Sequence, residues 1–134
     1  MIFVDTSFWV ALRLRRDARH EAALALLDEH DGSALATTNH VRGETWTFLR
    51  TRAGHRDSVA FVEMVEGTPR LQVAFVSEDL EREALDWLRR HYERPYSFVD
   101  ATSFALMRAL GIREALAFDG DFAAAGFVEL RPAQ

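Results

Sequence analysis

The chain has 134 residues, no cysteine and a net charge of −5. A chain of that length is expected to form one domain, residues 1–134, burying about two-thirds of its unfolded surface in a core that needs no staples. The absent cysteines exclude a disulfide framework and thiolate metal sites, and no apolar run approaches the ~20 residues of a bilayer span.

Met1 leads straight into an apolar run without the charged start of a signal peptide, so a cytoplasmic location with no membrane partner is expected. All sixteen basic residues are arginine. That removes P-loop, Schiff-base and general-base lysines, and GC-rich coding is its simplest cause. The five histidines are scattered, without HExxH spacing. An acidic chain is not the default nucleic-acid binder. Clustered acids that hold a divalent cation change this local electrostatic logic.

Ile2-Phe3-Val4 is a continuous apolar run, the pattern of a strand buried on both faces. It ends in Asp5-Thr6-Ser7, where a helical pattern begins. In open α/β sheets, ligands bind outside the carboxyl ends of the strands. Asp5 stands there, although it also suits a plain helix cap. A helix over Ser7–Leu14 follows, then a basic cluster of Arg13, Arg15, Arg16 and Arg19. That cluster reads as a solvated helix end, or as a contact for phosphates or partner acids.

His20–Glu29 reads as a second helix with Ala23, Leu24 and Leu27 on one face and Ala22 and Leu26 beside them, and Ala34–Thr38 as a second buried strand. Asn39 is the expected cap of a helix over His40–Arg52, with Glu44 early in it. A fourth helix spans Arg56–Glu66, and Leu71–Val76 is the clearest strand. Ser77 caps a long helix with a Leu80, Ala84, Trp87, Leu88 stripe. Arg94-Pro95-Tyr96 is a connector before a sixth helix, Phe98–Leu110. Ala115–Phe118 is a fourth strand ending in Asp119-Gly120-Asp121, followed by a short helical turn over Phe122–Ala125 and a last strand, Phe127–Leu130. Strands separated by helices predict a three-layer α/β/α fold around a mainly parallel sheet.

Four carboxylates fall at positions this fold marks as functional. Asp5 and Asp119 end strands, while Glu44 and Asp100 lie early in helices. Each has an ordinary alternative. Ser97-Phe98-Val99-Asp100 has the form of a capping box, Glu44 could be a solvated helix acid, and Asp119-Gly120 is a turn signal. All four being ordinary while sharing one sheet edge is far less expected. Clustered carboxylates repel unless a cation holds them. Oxygen ligands without Cys or clustered His point to Mg²⁺ or Mn²⁺ rather than zinc. Such ions hydrolyse phosphodiesters.

The set Val4-Asp5-Thr6-Ser7, Thr38-Asn39 leading to Glu44, Ser97–Ala101 and Ala117–Phe122 resembles a PIN-domain ribonuclease, nearest to the VapC-type toxins of toxin–antitoxin pairs. The resemblance covers nearly the whole chain. It implies an Mg²⁺- or Mn²⁺-dependent endoribonuclease with Asp5, Glu44, Asp100 and Asp119 as metal-binding acids. Water activated at the metal would attack an RNA phosphate in line, leaving 5′-phosphate and 3′-hydroxyl ends. It also implies a homodimer and a cognate VapB-type antitoxin. Gly120-Asp121 departs from the family pattern by adding a carboxylate, so whether Asp119 alone or Asp121 too reaches the metal stays open, as does the choice between Thr6 and Ser7 as an orienting hydroxyl. The rivals are a catalytically silent PIN-fold interaction module and a phosphoryl-accepting α/β domain. A receiver wants a lysine that is missing, a haloacid-dehalogenase-type phosphatase wants an acid where Ser7 stands, and a dinucleotide-binding fold wants an absent G-x-G-x-x-G.

Overall fold

The computed structural model describes residues 1–133. In chain order the elements are β1 (Ile2–Val4), α1 (Thr6–Arg13), α2 (His20–Glu29), β2 (Leu35–Thr38), α3 (Asn39–Arg52), α4 (His55–Glu66), β3 (Leu71–Ala74), α5 (Glu78–Arg90), α6 (Phe98–Leu110), β4 (Glu114–Leu116), α7 (Asp121–Ala124) and β5 (Val128–Glu129). The five strands form one sheet in the order β3-β2-β1-β4-β5, and every pairing is parallel.

The layers follow from this order. Parallel crossovers are right-handed. The steps β1 to β2 and β2 to β3 move outward in one direction, so α1 to α4 cover one face. The chain then returns past β1 to β4 and on to β5 in the opposite direction, which puts α5 to α7 on the other face. Within the layers α1 packs against α2 and α3, α3 against α4, α5 against α6, and α6 against α7, while α3 and α6 also meet each other, with His40 and Phe98 of their first turns adjoining. β1 is central and covered on both faces, so Ile2, Phe3 and Val4 are all buried, as a continuous apolar run requires.

The core joins these layers. Phe8, Trp9 and Phe61 fill the side of α1 and α4. Phe104 packs edge-on against Trp87 and Phe122, while Phe122 stacks on Phe3. Fully burying such a side chain contributes about 1.5–3 kcal/mol. α6 is buried along most of its length, and small residues such as Ala101 and Ala105 let it lie close to the sheet.

Several element boundaries differ from the sequence reading. α3 is capped by Thr38, whose hydroxyl accepts from Val41 N at 3.0 Å. Asn39 instead spends its side chain on Val76 N at 2.8 Å. β3 stops at Ala74, and Phe75 beyond it is 68% exposed, because β3 is an edge strand that needs no apolar residue past its pairing. β4 starts at Glu114 and ends at Leu116. In α2, Leu26 is the buried leucine and Leu24 is largely exposed, so the packed stripe is rotated from the one expected. No helix among the described residues is long and apolar enough to cross a membrane.

Candidate active site

The strand order reverses at β1. Its neighbours β2 and β4 lead away in opposite directions, and the crevice that this leaves at the carboxyl edge is where open α/β folds bind ligands. Asp5 follows β1 directly, and Asp119 stands three residues after β4. Asp5, Thr6, Ser7, Glu44, Ser97, Asp100, Asp119 and Asp121 all line one cavity of about 620 Å³ at this edge.

Asp5 is both a helix cap and a buried acid. Its Oδ2 accepts from Ser7 N at 3.1 Å and from Ser7 Oγ at 2.8 Å. The Ser7 hydroxyl in turn accepts from Phe118 N at 3.0 Å. Ser7 therefore ties the end of β1 to the segment after β4, and both of its hydroxyl roles are filled. Thr6 differs: the residue lines the same cavity, and its Oγ1 is buried with no hydrogen-bond partner among the described residues.

Asp100 is likewise both things at once. It is 7% exposed and completes a capping box, with Ser97 Oγ accepting from Asp100 N at 2.9 Å and Asp100 Oδ2 accepting from Ser97 N at 3.1 Å. The box holds the carboxylate at the start of α6, facing the crevice. Asp119 Oδ1 accepts from Asp121 N at 3.1 Å, which closes the turn at Gly120. Each of Asp100, Asp119 and Asp121 offers a carboxylate oxygen within 4.8 Å of the others. Asp5 from the end of β1 and Glu44 from α3 line the same cavity but lie outside that tight group, and Glu44 is exposed.

Two residues not singled out in the sequence shape this rim. Arg94 Nε donates to Asp121 Oδ1 at 2.6 Å, and its Nη2 to the Asp119 carbonyl at 3.2 Å. Glu129 accepts from Gly120 N at 3.3 Å and Ala123 N at 3.0 Å, and pairs with Arg131. The turn between Asp119 and Asp121 is thus clamped from both sides. Gly120 has φ +84°, and a Cβ there would sit 3.1 Å from Arg94 Nη2, so glycine meets both demands. Arg94 carried no signal as part of a three-residue connector. An acid inside the apolar run of the last strand was the one available hint for Glu129.

The electrostatics show the strain of this assembly. Burial, then the neighbouring Asp119, lift the Asp5 pKa to about 8. Burial also raises Asp100 to about 7, with Asp121 and Asp119 adding repulsion. Asp119 rises to about 6, again mainly through burial. Acids raised in this way need protons or a cation to coexist. Five carboxylates around one crevice, no sulfur or imidazole among them, and an unpartnered buried hydroxyl fit a hard divalent ion.

The PIN domain family model matches residues 2–128. The 23S rRNA-specific endonuclease VapC20 of Mycobacterium tuberculosis is 57% identical over 132 residues, spanning 98% of this chain and 99% of the relative, in strain CDC 1551/Oshkosh and in strain H37Rv alike. The chain belongs to the VapC group of PIN domains. The crystal structure of Mycobacterium tuberculosis VapC20, described as a sarcin–ricin loop cleaving toxin, superposes with a TM-score of 0.93 at 55% identity, covering 98% of this chain and all of that one. The all-parallel sheet and its two helical layers are therefore those of a VapC PIN domain, as the resemblance implied.

Proposed function

We propose that this VapC-type PIN domain, taken as one unit over residues 1–134, is an endoribonuclease toxin that depends on Mg²⁺ or Mn²⁺. The observation that carries the reading is the convergence of Asp5, Asp100 and Asp119 at the β1/β4 crevice, each with a raised pKa. Asp5, Asp100 and Asp119 are the proposed inner acids, with Glu44 completing the set from α3. Relatedness to an rRNA endonuclease over nearly the whole chain supports RNA as substrate. It makes 23S rRNA the first target to test.

The protein's own residues divide the work. The capping interactions at Asp5 and Asp100 fix those carboxylates before substrate arrives, so little ordering remains at the moment of reaction. When bound, a divalent ion supplies positive charge for the scissile phosphate and lowers the pKa of a water. The Thr6 hydroxyl, free of protein partners, is the proposed orienting group, while Ser7 is committed to structure. A cognate VapB-type antitoxin and a homodimer are the proposed partners, on family grounds. The silent-module reading has no observation in its favour, since none of the proposed acids is lost.

Purified protein is expected to cut rRNA with Mg²⁺ or Mn²⁺ and to stop when EDTA is added, with mapped products carrying 5′-phosphate ends. Cleavage that persists undiminished in EDTA defeats the metal-dependent reading.

Arg94 has a place in the same proposal. Its guanidinium offsets the Asp121 charge beside Asp119 and Asp100. Arg94→Gln is expected to lower metal-free stability and to enlarge the rise in Tm that Mn²⁺ produces, because an uncompensated acid then awaits the cation. Thermal melts with and without Mn²⁺ check this, and an unchanged increment contradicts it.

A further inference from the structure

A second groove opens beside the acidic cavity and shares its walls at Val10, Asp17 and Phe48. Its remaining lining includes Arg13, Arg15 and Arg16 from the end of α1 and Arg52 from the end of α3. Two acids, Asp17 and Asp57, stand among them. Among the described residues, none of these four arginines has a carboxylate within 4.0 Å, whereas Arg82 and Arg89 on α5 are both paired. Arg13 Nε is buried with no hydrogen-bond partner, and Arg52 lies 4.8 Å from the centroid of Phe48. Asp17 already accepts from Arg19 N at 2.8 Å. In a chain of net charge −5, four unpaired guanidiniums in one groove are a concentration of free positive charge.

We infer that this groove is the seat of the RNA strand flanking the cleaved bond, with Arg13, Arg15, Arg16 and Arg52 binding its phosphates. This deepens the nuclease reading and rests on it for the direction of the strand. Continuity decides the occupant. One way out of the acidic cavity runs past Val10 and Phe48, and the arginines stand on it, so a strand whose scissile phosphate lies in that cavity can carry its neighbouring phosphates along them. Guanidinium forks suit phosphate oxygens, and the Phe48 ring at the junction offers a face on which an unpaired base can stack.

The test measures binding apart from cleavage. A fluorescent single-stranded RNA oligonucleotide is titrated with the full chain in EDTA at several KCl concentrations. Each phosphate contact removed flattens the dependence of log K on log salt by about 0.7 for single strands. Arg15→Gln/Arg16→Gln, both exposed and with folding checked by circular dichroism, is expected to flatten the slope by about 1.4 on that constant. Arg89→Gln/Arg90→Gln on α5, with the same charge change, is expected to leave it unaltered. The inference is overturned if the groove variant keeps the wild-type slope, or if the α5 variant loses as much. It is also overturned if the groove variant binds RNA normally and loses only a polyglutamate peptide, since the groove then serves an acidic protein partner. A groove that binds RNA in a protein that never cuts it sinks the nuclease reading alone. Cleavage with an unaffected slope sinks the groove alone.

Discussion

Asp5→Asn is expected to abolish RNA cleavage while making the metal-free protein more stable. The two effects share one cause. Asp5 is buried, and burial together with Asp119 holds its pKa at about 8. At neutral pH a carboxylate there is under strong pressure to take up a proton, and only a cation makes the ionised form comfortable. Asparagine keeps the shape and the acceptor for Ser7 N, so the cap that starts α1 survives. It removes the charge that binds the ion. Several kcal/mol of transition-state stabilisation depend on the ion, and each ~1.4 kcal/mol is tenfold in rate. The expected loss is therefore at least ~10³-fold, with loss of any growth arrest on expression. Gel-based cleavage assays and thermal melts in EDTA read the two effects together. Retained growth arrest in this variant would refute a metal-ribonuclease mechanism of toxicity, and a lower metal-free Tm would refute the electrostatic account of Asp5.

The second large effect is on pH. Metal-free protein is expected to lose stability as pH rises from about 4 to 8, against the usual trend for carboxylates. The three acids start from an unfolded value of 3.8 and are raised in the folded state to about 8, 7 and 6 for Asp5, Asp100 and Asp119. Between the unfolded and folded values, the folded chain holds more protons than the unfolded one. Stability then falls with pH. The favourable contribution is complete below about 3.8 and is gone above about 8. A bound dication reverses the demand, since its ligands must be deprotonated. Saturating Mn²⁺ is expected to flatten the decline. Thermal melts from pH 5 to 8.5, in EDTA and in Mn²⁺, give both curves. A metal-free Tm that climbs over this interval contradicts the assignment of strained acids to the crevice.

Much of the fold was legible because its strands are short apolar runs that end in polar residues. Ile2-Phe3-Val4 has the pattern of a strand covered on both faces, and it forms one. Ser77 and Ser97 announced α5 and α6 as caps, and both hydroxyls accept from the third residue on. The misplacements occurred where two polar residues compete for one task. Thr38 and Asn39 are both good caps, and only the position of the β3–α5 connection explains why Asn39 is used for Val76 instead.

The candidate site was legible in part for the same reason. An acid at the end of a buried strand must lie at the ligand edge of a parallel sheet, which locates Asp5 and Asp119. Asp100 follows no strand, so its arrival at the crevice depends on how α6 lies against the sheet, which no local pattern encodes. Capping and cavity-facing roles read as alternatives in the sequence, yet the Asp5 and Asp100 side chains do both. Arg94 was invisible because its partners are 25 and 27 residues away in the chain.

Soaking crystals in Mn²⁺ and collecting anomalous diffraction asks most directly whether these acids hold a hard dication. A peak at the carboxyl edge of β1, within bonding distance of Asp5, Asp100 and Asp119 oxygens, is the expected result. An empty crevice at millimolar Mn²⁺, with the acids arranged as they are here, would contradict the account at its foundation.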